Sequence, residues 1–328
     1  MTEIGSAPTE RIEERRDEAQ SPMMNESDVL SRCEVIVVAF RSREPLEGLF
    51  AALPPALPLI VVDNSSETES LGPLIGGRPN TRHIDSGGNI GFGAACNLGA
   101  AAATRPYLIF LNPDCRPTAD ALAQLAMQLD LEPSVSSCGP GMVDDSGVAQ
   151  RGGGGWLPTV RRSVVHALAL DKLFRNAGIW IKAQPQEAMA AEWLAGTCLA
   201  IRRDVFLEVG GFDPRYFVYQ EDMDLGRRLH SRGYRQIFRG DIHVRHAGGG
   251  SSPTERAQRL WTLRGRMLDR YLRANLPPGR AVAIRAILGT GYVLRAAVFY
   301  AKRDEARAHE MWTYTKMLRG GGSSSTAH

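Results

Sequence analysis

The run from Tyr107 to Asp114, YLIFLNPD, constrains this chain more than any other stretch. Five apolar or aromatic residues lead without interruption into Asn112, Pro113 and Asp114. An apolar run of that length, closed by turn-forming residues, fits a strand buried on both faces of a parallel sheet. The Asp114 carboxylate then stands at the carboxyl end of a central strand, the edge at which open α/β sheets bind ligands. An Asn-x-Asp pair there offers hard oxygen ligands of the kind that hold Mg²⁺ or Mn²⁺ on a diphosphate. Asn-Pro-Asp is equally good turn chemistry, so the run alone leaves both readings open.

With 328 residues the chain can bury a substantial core. A net charge of +3 is too small to point to nucleic acid, but its distribution is uneven. From Thr254 onward 14 Lys or Arg face 5 Asp or Glu, so the C-terminal region is basic and the rest acidic on balance. Five scattered cysteines, Cys33, Cys96, Cys115, Cys138 and Cys198, form neither a zinc pattern nor a disulfide framework. Residues 1–30 are charged and polar, without the apolar segment of a signal peptide, and are expected to be a disordered leader. A cytoplasmic protein, soluble or lying on the membrane surface, is the expectation.

Glu34–Phe40 and Leu59–Val62 read as β-branched strands around a short helix at Leu46–Leu53, a βαβ unit of a parallel sheet. Asp63 then shares its edge with Asp114; it suits holding a nucleobase or ribose, or simply an Asx-turn. Arg82–Asp85 is a short third strand. The glycines of Gly87–Gly93 precede a helix at Ala94–Ala103, where backbone N–H groups can approach a phosphate. Their spacing is not that of a dinucleotide site, and the lysine of a P-loop is missing. Asn97, inside this helix, faces either ligand or solvent. Ala119–Leu131 is helical, Val135–Pro140 reads as an edge strand, and Asp144–Gly155 as a mobile lid or linker. A helical stretch runs around Val164–Phe174.

Ala191–Arg202 reads as one apolar strand entered through Trp193, with Gly196 allowing a close approach. After a short helix at Arg203–Val209, aromatic residues lead into Glu221, Asp222 and Asp224 in the first turn of a helix that Gly233 stops. The helix dipole accounts for acids there, but three exceed what capping needs, and an acid in a closed site can act as a general base. Tyr234–Phe238 is a further strand. His246, beyond it, is a metal ligand or an ordinary structural histidine. The segment 281–301 is apolar but interrupted by Arg285 and Arg295, which argues against spanning a bilayer and for an amphipathic basic segment on an anionic membrane, or a buried helical hairpin.

Seven stretches occur in one order: VIVVAF, VVDNSS, GGNIGFGAACNLG, FLNPD, WLAGTCLAIRRDVF, GGFDPRYFVYQEDMDLGRRLHSRGY and HAGGGS. Together they resemble the inverting, GT-A type glycosyltransferases of family 2, in particular their rhamnosyltransferase-like members. The resemblance implies an α/β fold with a Rossmann-like, mostly parallel central sheet and flanking helices over residues 31–252. A basic helical region, 253–319, and a flexible tail, 320–328, follow. It implies that Asp63 holds the nucleobase of a nucleotide-sugar, that Asn89 and Gly91 lie near nucleotide and phosphates, and that Asn112 and Asp114 face the diphosphate. Asp114 and His246 would hold Mg²⁺ or Mn²⁺; Asn112 replaces an acid usual in the family. Trp193 and Gly196 would form the acceptor site. Asp222 would be the base, with Glu221 beside it. The implied donor is dTDP-rhamnose and the implied acceptor a polyprenyl-diphosphate-linked N-acetylglucosamine, with peripheral contact to the cytoplasmic membrane. Without the Gln-x-x-Arg-Trp motif of processive synthases, transfer of a single sugar is expected. A homodimer is left open.

Overall fold

A computed structural model describes residues 25–65, 68–150, 152–174, 176–181, 187–247 and 254–320. Asn25 caps a short helix, α1 (Glu26–Ser31), by accepting from the Ser27 amide, and α1 buries Val29 and Leu30. The leader expected to be disordered therefore already carries structure at its end; residues 1–24 lie outside the described residues. Strand β1 (Cys33–Ala39) and strand β2 (Leu59–Asp63) are buried at every position, as their β-branched runs require. Helix α2 (Arg43–Ala52) crosses between them. A helix absent from the sequence reading, α3 (Thr68–Gly76), contains Pro73. It leads to β3 (Thr81–Asp85), then α4 (Phe92–Ala102) and β4 (Tyr107–Leu111). These four strands are parallel in the order β3-β2-β1-β4, with Ala39 opposite Asp63 and Asp63 opposite Asp85.

The two-residue β5 (Cys115–Arg116) is followed by α5 (Ala119–Leu131), capped by the Thr118 hydroxyl, and by β6 (Val135–Val143). Gly154–Gly155 form β7, and Thr159 caps α6 (Val160–Ala167). Then come β8 (Ala188–Ala191), β9 (Trp193–Leu194), β10 (Cys198–Arg202), α7 (Arg203–Glu208), α8 (Glu221–Ser231) and β11 (Arg235–His246). The sheet continues from β4 as β10-β6-β11-β5, with β8 also on β11. Strand β10 runs antiparallel to both β4 and β6, while β6 and β11 are parallel. The sheet is thus mixed, its first half parallel as expected and its second half interrupted.

Three expectations change. Strand β6 lies inside the sheet, between β10 and β11, and not at an edge. The run Ala191–Arg202 breaks into the end of β8, β9 and β10, which frees the backbone of Ala195–Thr197 for other partners. The end of the glycine-rich stretch, residues 153–155, is packed, whereas 145–149 are exposed and Arg151 lies outside the described residues. β7 pairs with β9, and a Cβ on Gly155 would lie 2.0 Å from the Ile179 carbonyl oxygen. Only glycine allows that approach.

One hydrophobic cluster covers each sheet face, and a third joins Trp193, Tyr216 and Met223 to the C-terminal helices. Those are α9 (Thr254–Asn275), α10 (Pro278–Ala301) and α11 (Glu305–Leu318). Among the described residues α10 alone has the length and apolar character to cross a membrane.

Candidate active site

At the end of β2 the Asp63 side chain is fully buried. Its Oδ1 accepts from the amide of Ser65 at 3.0 Å and the hydroxyl of Ser65 at 2.6 Å, the Asx-turn its sequence suggested. Its Oδ2 has no hydrogen-bond partner and lies 4.0 Å from His83 Nε2. The buried Asn64 beside it ties the glycine loop down. Its Nδ2 donates to Asn89 Oδ1 at 3.2 Å, and its Oδ1 accepts from the Ile90 amide at 3.0 Å and Ser86 Oγ at 3.1 Å. Gly91 then begins α4 with φ +94°, and a Cβ there would sit 2.5 Å from the Phe217 carbonyl oxygen. That same carbonyl accepts from the Phe92 amide at 2.8 Å. Gly91 therefore lets the glycine loop dock on the segment that precedes α8.

Pairing of β5 with β11 sets Cys115 opposite His246 and so brings Asp114 to it. His246 Nε2 is 3.3 Å from Asp114 Oδ1. On the other side of the ring, His246 Nδ1 is 2.9 Å from Gln150 Oε1. The amide of Gln150 cannot be turned, because its Nε2 donates to the His246 carbonyl at 2.8 Å. Its Oε1 must therefore accept, and Nδ1 must carry a proton. Nε2 then faces the Asp114 carboxylate either as a second N–H or as a lone pair. Two acceptors at that distance repel unless a proton or cation joins them. Burial pushes the Asp114 carboxyl up, but the hydrogen bond and charge of His246 outweigh it, and the acid ends below its ordinary value. A carboxylate held ionised beside an imidazole nitrogen, with the imidazole oriented by a second carbonyl, fits a divalent cation. Cys115 completes a cluster with Asp114 and His246 on distance alone. Burial raises its thiol far above the usual range, and it donates to the Thr197 carbonyl, so it is not a ligand.

Thr197 also ties the loop that bears Asp114 to the acids. Its carbonyl accepts from the Asn112 amide at 2.9 Å. The amide of the preceding residue, Gly196, hydrogen-bonds the Asp222 carboxylate. Two adjacent residues, 196 and 197, thus join the end of β4 to the head of α8, although Asp114 and Asp222 are distant in sequence. At that head Tyr219 and Gln220 both take left-handed backbone, φ +69° and +72°, with no glycine to ease it. Glu221 is 4% exposed and its Oε2 lacks a partner. Burial, and then the charge of Asp222, push the Glu221 carboxyl well above its usual value. Burial lifts Asp222 to about 6 against the pull of the Met223 and Gly196 amides. Asp224 is different: it is fully buried but neutralised by Arg227 at 3.0 Å and Arg228 at 2.7 Å. Arg228 also donates to the carbonyls of Val209 and Gly211. Of the three acids, one fastens the helix and two are left for chemistry.

Trp193 is 1% exposed, donates to the Trp156 carbonyl at 3.4 Å and meets Trp180 edge-on at 5.0 Å. It packs behind α8 and offers no open face to an acceptor. Asn97 faces neither ligand nor solvent: it brackets Phe212, donating to its carbonyl at 2.7 Å and accepting from its amide at 2.9 Å. Gln150, Asn64 and Thr197 were not singled out from sequence. The remainder of the HAGGGS stretch, 248–251, lies outside the described residues.

With this geometry in place, comparison decides the family. Residues 34–210 match glycosyl transferase family 2, and residues 158–303 match glycosyl transferase family group 2. This chain belongs to glycosyl transferase family 2. The glycosyltransferase is 30% identical over 246 residues to the N-acetylglucosaminyl-diphospho-decaprenol L-rhamnosyltransferase of Mycobacterium tuberculosis, covering 69% of this chain and 79% of that protein. It is 23% identical over 202 residues to a hexosyltransferase of low-salt glycan biosynthesis from Haloferax volcanii, covering 60% and 61% of the two chains. A mannosyltransferase from Pyrobaculum calidifontis, solved with GDP-mannose and Mn²⁺, superposes with a TM-score of 0.56 at 16% identity over 89% of this chain and 88% of that one. The mixed sheet with its flanking helices is accordingly the GT-A fold.

Proposed function

We propose that this glycosyltransferase moves one sugar, L-rhamnose from dTDP-rhamnose, onto a polyprenyl-diphosphate-linked N-acetylglucosamine, with inversion at the anomeric carbon. The observation that carries the reading is the 196–197 link, which sets an ionised acid beside a histidine at one side and an acid of raised pKa at the other. The Mycobacterium tuberculosis relative, named an N-acetylglucosaminyl-diphospho-decaprenol L-rhamnosyltransferase, supports the choice of sugar and acceptor.

Asp63, with its unpartnered Oδ2 and serine-fixed Oδ1, would hold the nucleobase end of the donor at the carboxyl edge of the parallel strands. Asn89 and Gly91 would line the diphosphate. Asp114 and His246 would hold Mg²⁺ or Mn²⁺, which when bound supplies positive charge against the departing diphosphate. Asp222 would take the proton of the acceptor hydroxyl as that oxygen attacks the anomeric carbon from the face opposite the leaving group. Its raised pKa makes it a stronger base than an ordinary carboxylate while leaving it largely ionised at neutral pH. Glu221, kept protonated by burial beside Asp222, would hydrogen-bond at the same place without adding a second negative charge. Gly196 would act through its amide, aiming Asp222.

The test is release of nucleoside diphosphate from a panel of dTDP-, UDP- and GDP-sugars with the lipid-linked acceptor, with and without EDTA. Transfer from dTDP-rhamnose alone, lost on chelation and restored by Mg²⁺ or Mn²⁺, is expected. Preference for a UDP-hexose would replace the donor assignment.

A further inference from the structure

Helix α10 answers a contradiction in its own sequence. It is apolar, yet two arginines interrupt it, and both arginines turn inward. Arg285 binds Asp269 on α9 at 2.5 Å and the Leu318 carbonyl on α11 at 3.0 Å. Arg295 donates to the His166 carbonyl on α6 and lies 5.0 Å over the Tyr292 ring. The exposed positions between Ala281 and Ala301 consequently bear no charge. They include Val282, Ala286, Thr290, Leu294 and Val298, and the large ones are more than half exposed. A helix lying against water would turn its polar residues outward.

The neighbouring helix repeats the pattern. Gly291 of α10 lies so close to α6 that a Cβ would be 2.6 Å from Ala167 Cα. Val160 and Val164 of α6 and Leu168 just past its end are exposed at four-residue spacing, and the turn beyond exposes Leu173 at 76% and Phe174 at 60%. Basic residues rim these apolar faces: Arg161 on α6, Arg280 at the start of α10, and Lys302 and Arg303 at its end, all exposed.

We propose that the outward faces of α6 and α10 form a docking surface for an anionic lipid bilayer, with α10 lying in the interface plane. Apolar side chains would enter the headgroup boundary and the basic rim would meet anionic headgroups. A second copy of the chain fits worse, since Arg161, Arg280, Lys302 and Arg303 outweigh Asp304 and Glu305 and leave the rim net basic, which repels itself. Spanning is disfavoured by the opposite side of α10. That side buries Ile284 and Leu288 and holds the Arg285–Asp269 pair, which a spanning helix would drag into hydrocarbon. The inference deepens the proposed function, because a lipid-linked acceptor is presented at such a surface, but its test uses no donor or acceptor.

The experiment is flotation of the purified full chain with phosphatidylcholine vesicles and with vesicles containing phosphatidylglycerol. Binding to the anionic vesicles, weakened by high salt and released by alkaline carbonate, is expected. The Leu294→Glu/Val298→Glu and Leu173→Glu/Phe174→Glu double variants should each bind at least about tenfold less. Their thermal midpoints, and turnover of a water-soluble acceptor analogue, should stay at the wild-type level. Four outcomes would overturn the proposal: no flotation with either vesicle, equal binding by the variants, binding that resists carbonate, or a concentration-dependent dimer abolished by the same substitutions without any vesicle binding. If binding holds while dTDP-rhamnose is not a donor, the surface stands and only the donor assignment falls.

Discussion

Asp114 and Asp222 sit at two ends of one connected backbone segment and are treated in opposite ways. Asp114 lies where strands converge, with an imidazole at 3.3 Å, and is held ionised. Asp222 lies at the first turn of a helix, beside a second buried acid and with only backbone amides for partners, and is lifted to about 6. Both are half-buried, so burial alone does not separate them. The partner does: a titratable ring pulls one acid down, while the other has only backbone dipoles to oppose its burial. Two carboxylates driven apart in this way can serve two roles, a ligand that stays charged and a base that takes up a proton.

The sharpest way to break the comparison is Asp222→Asn. It would remove the proposed base while keeping an oxygen for the Gly196 and Met223 amides, so kcat should fall by about 10²–10⁴. Affinity for the nucleoside diphosphate, read by calorimetry, should hardly change. Comparable losses of kcat and nucleotide affinity would mean that the two ends are not separate in role. A smaller effect is expected at the other end without touching a ligand. Gln150→Ala should weaken Mn²⁺ binding about 10–100-fold by freeing the His246 ring to turn, while kcat at saturating metal recovers.

The smallest effects concern pH. kcat/KM should drop about tenfold per unit below an apparent pKa near 6, the limb belonging to the Glu221–Asp222 pair as a unit. Stability should run the other way. Asp222 titrates near 3.8 when unfolded and about 6 when folded, so the folded state holds the extra proton between those values. The associated stability is present below about pH 4 and lost as pH rises to 6. Asp222→Asn should therefore be more stable than wild type at pH 7, by about 1–2 kcal/mol after solvent screening, and equal to it near pH 4. Thermal melts at the two pH values check this.

Much of this site was legible because strand ends are legible. Apolar runs closed by Asp63 and by Asn112-Pro113-Asp114 place both groups at the carboxyl edge from the sequence pattern alone. Direction was not: the apolar run Cys198–Arg202 would look the same parallel or antiparallel, and only pairing with β4 and β6 shows it reversed. The separation of Asp224 from Asp222 could have been read. Arg227 and Arg228 stand three and four residues after Asp224, the spacing at which a helix pairs charges. Gln150 carried no comparable signal, because its partner is 96 positions away and no periodic pattern runs through it. Trp193, an acceptor residue only by resemblance, carried no signal of its own burial: an aromatic that opens an apolar strand can line a site or fill a core, and here it packs under α8.

The seam at Gly91 joins what would otherwise be two independent walls. The Phe217 carbonyl is bonded to the start of α4, and no side chain fits between them. On the proposed placement of acceptor and donor, a rearrangement that admits a bulky alcohol near α8 would therefore pull on the glycine loop that begins α4. Occupancy on one side would then be felt mechanically on the other, making the order in which the two reactants arrive a property of this backbone junction.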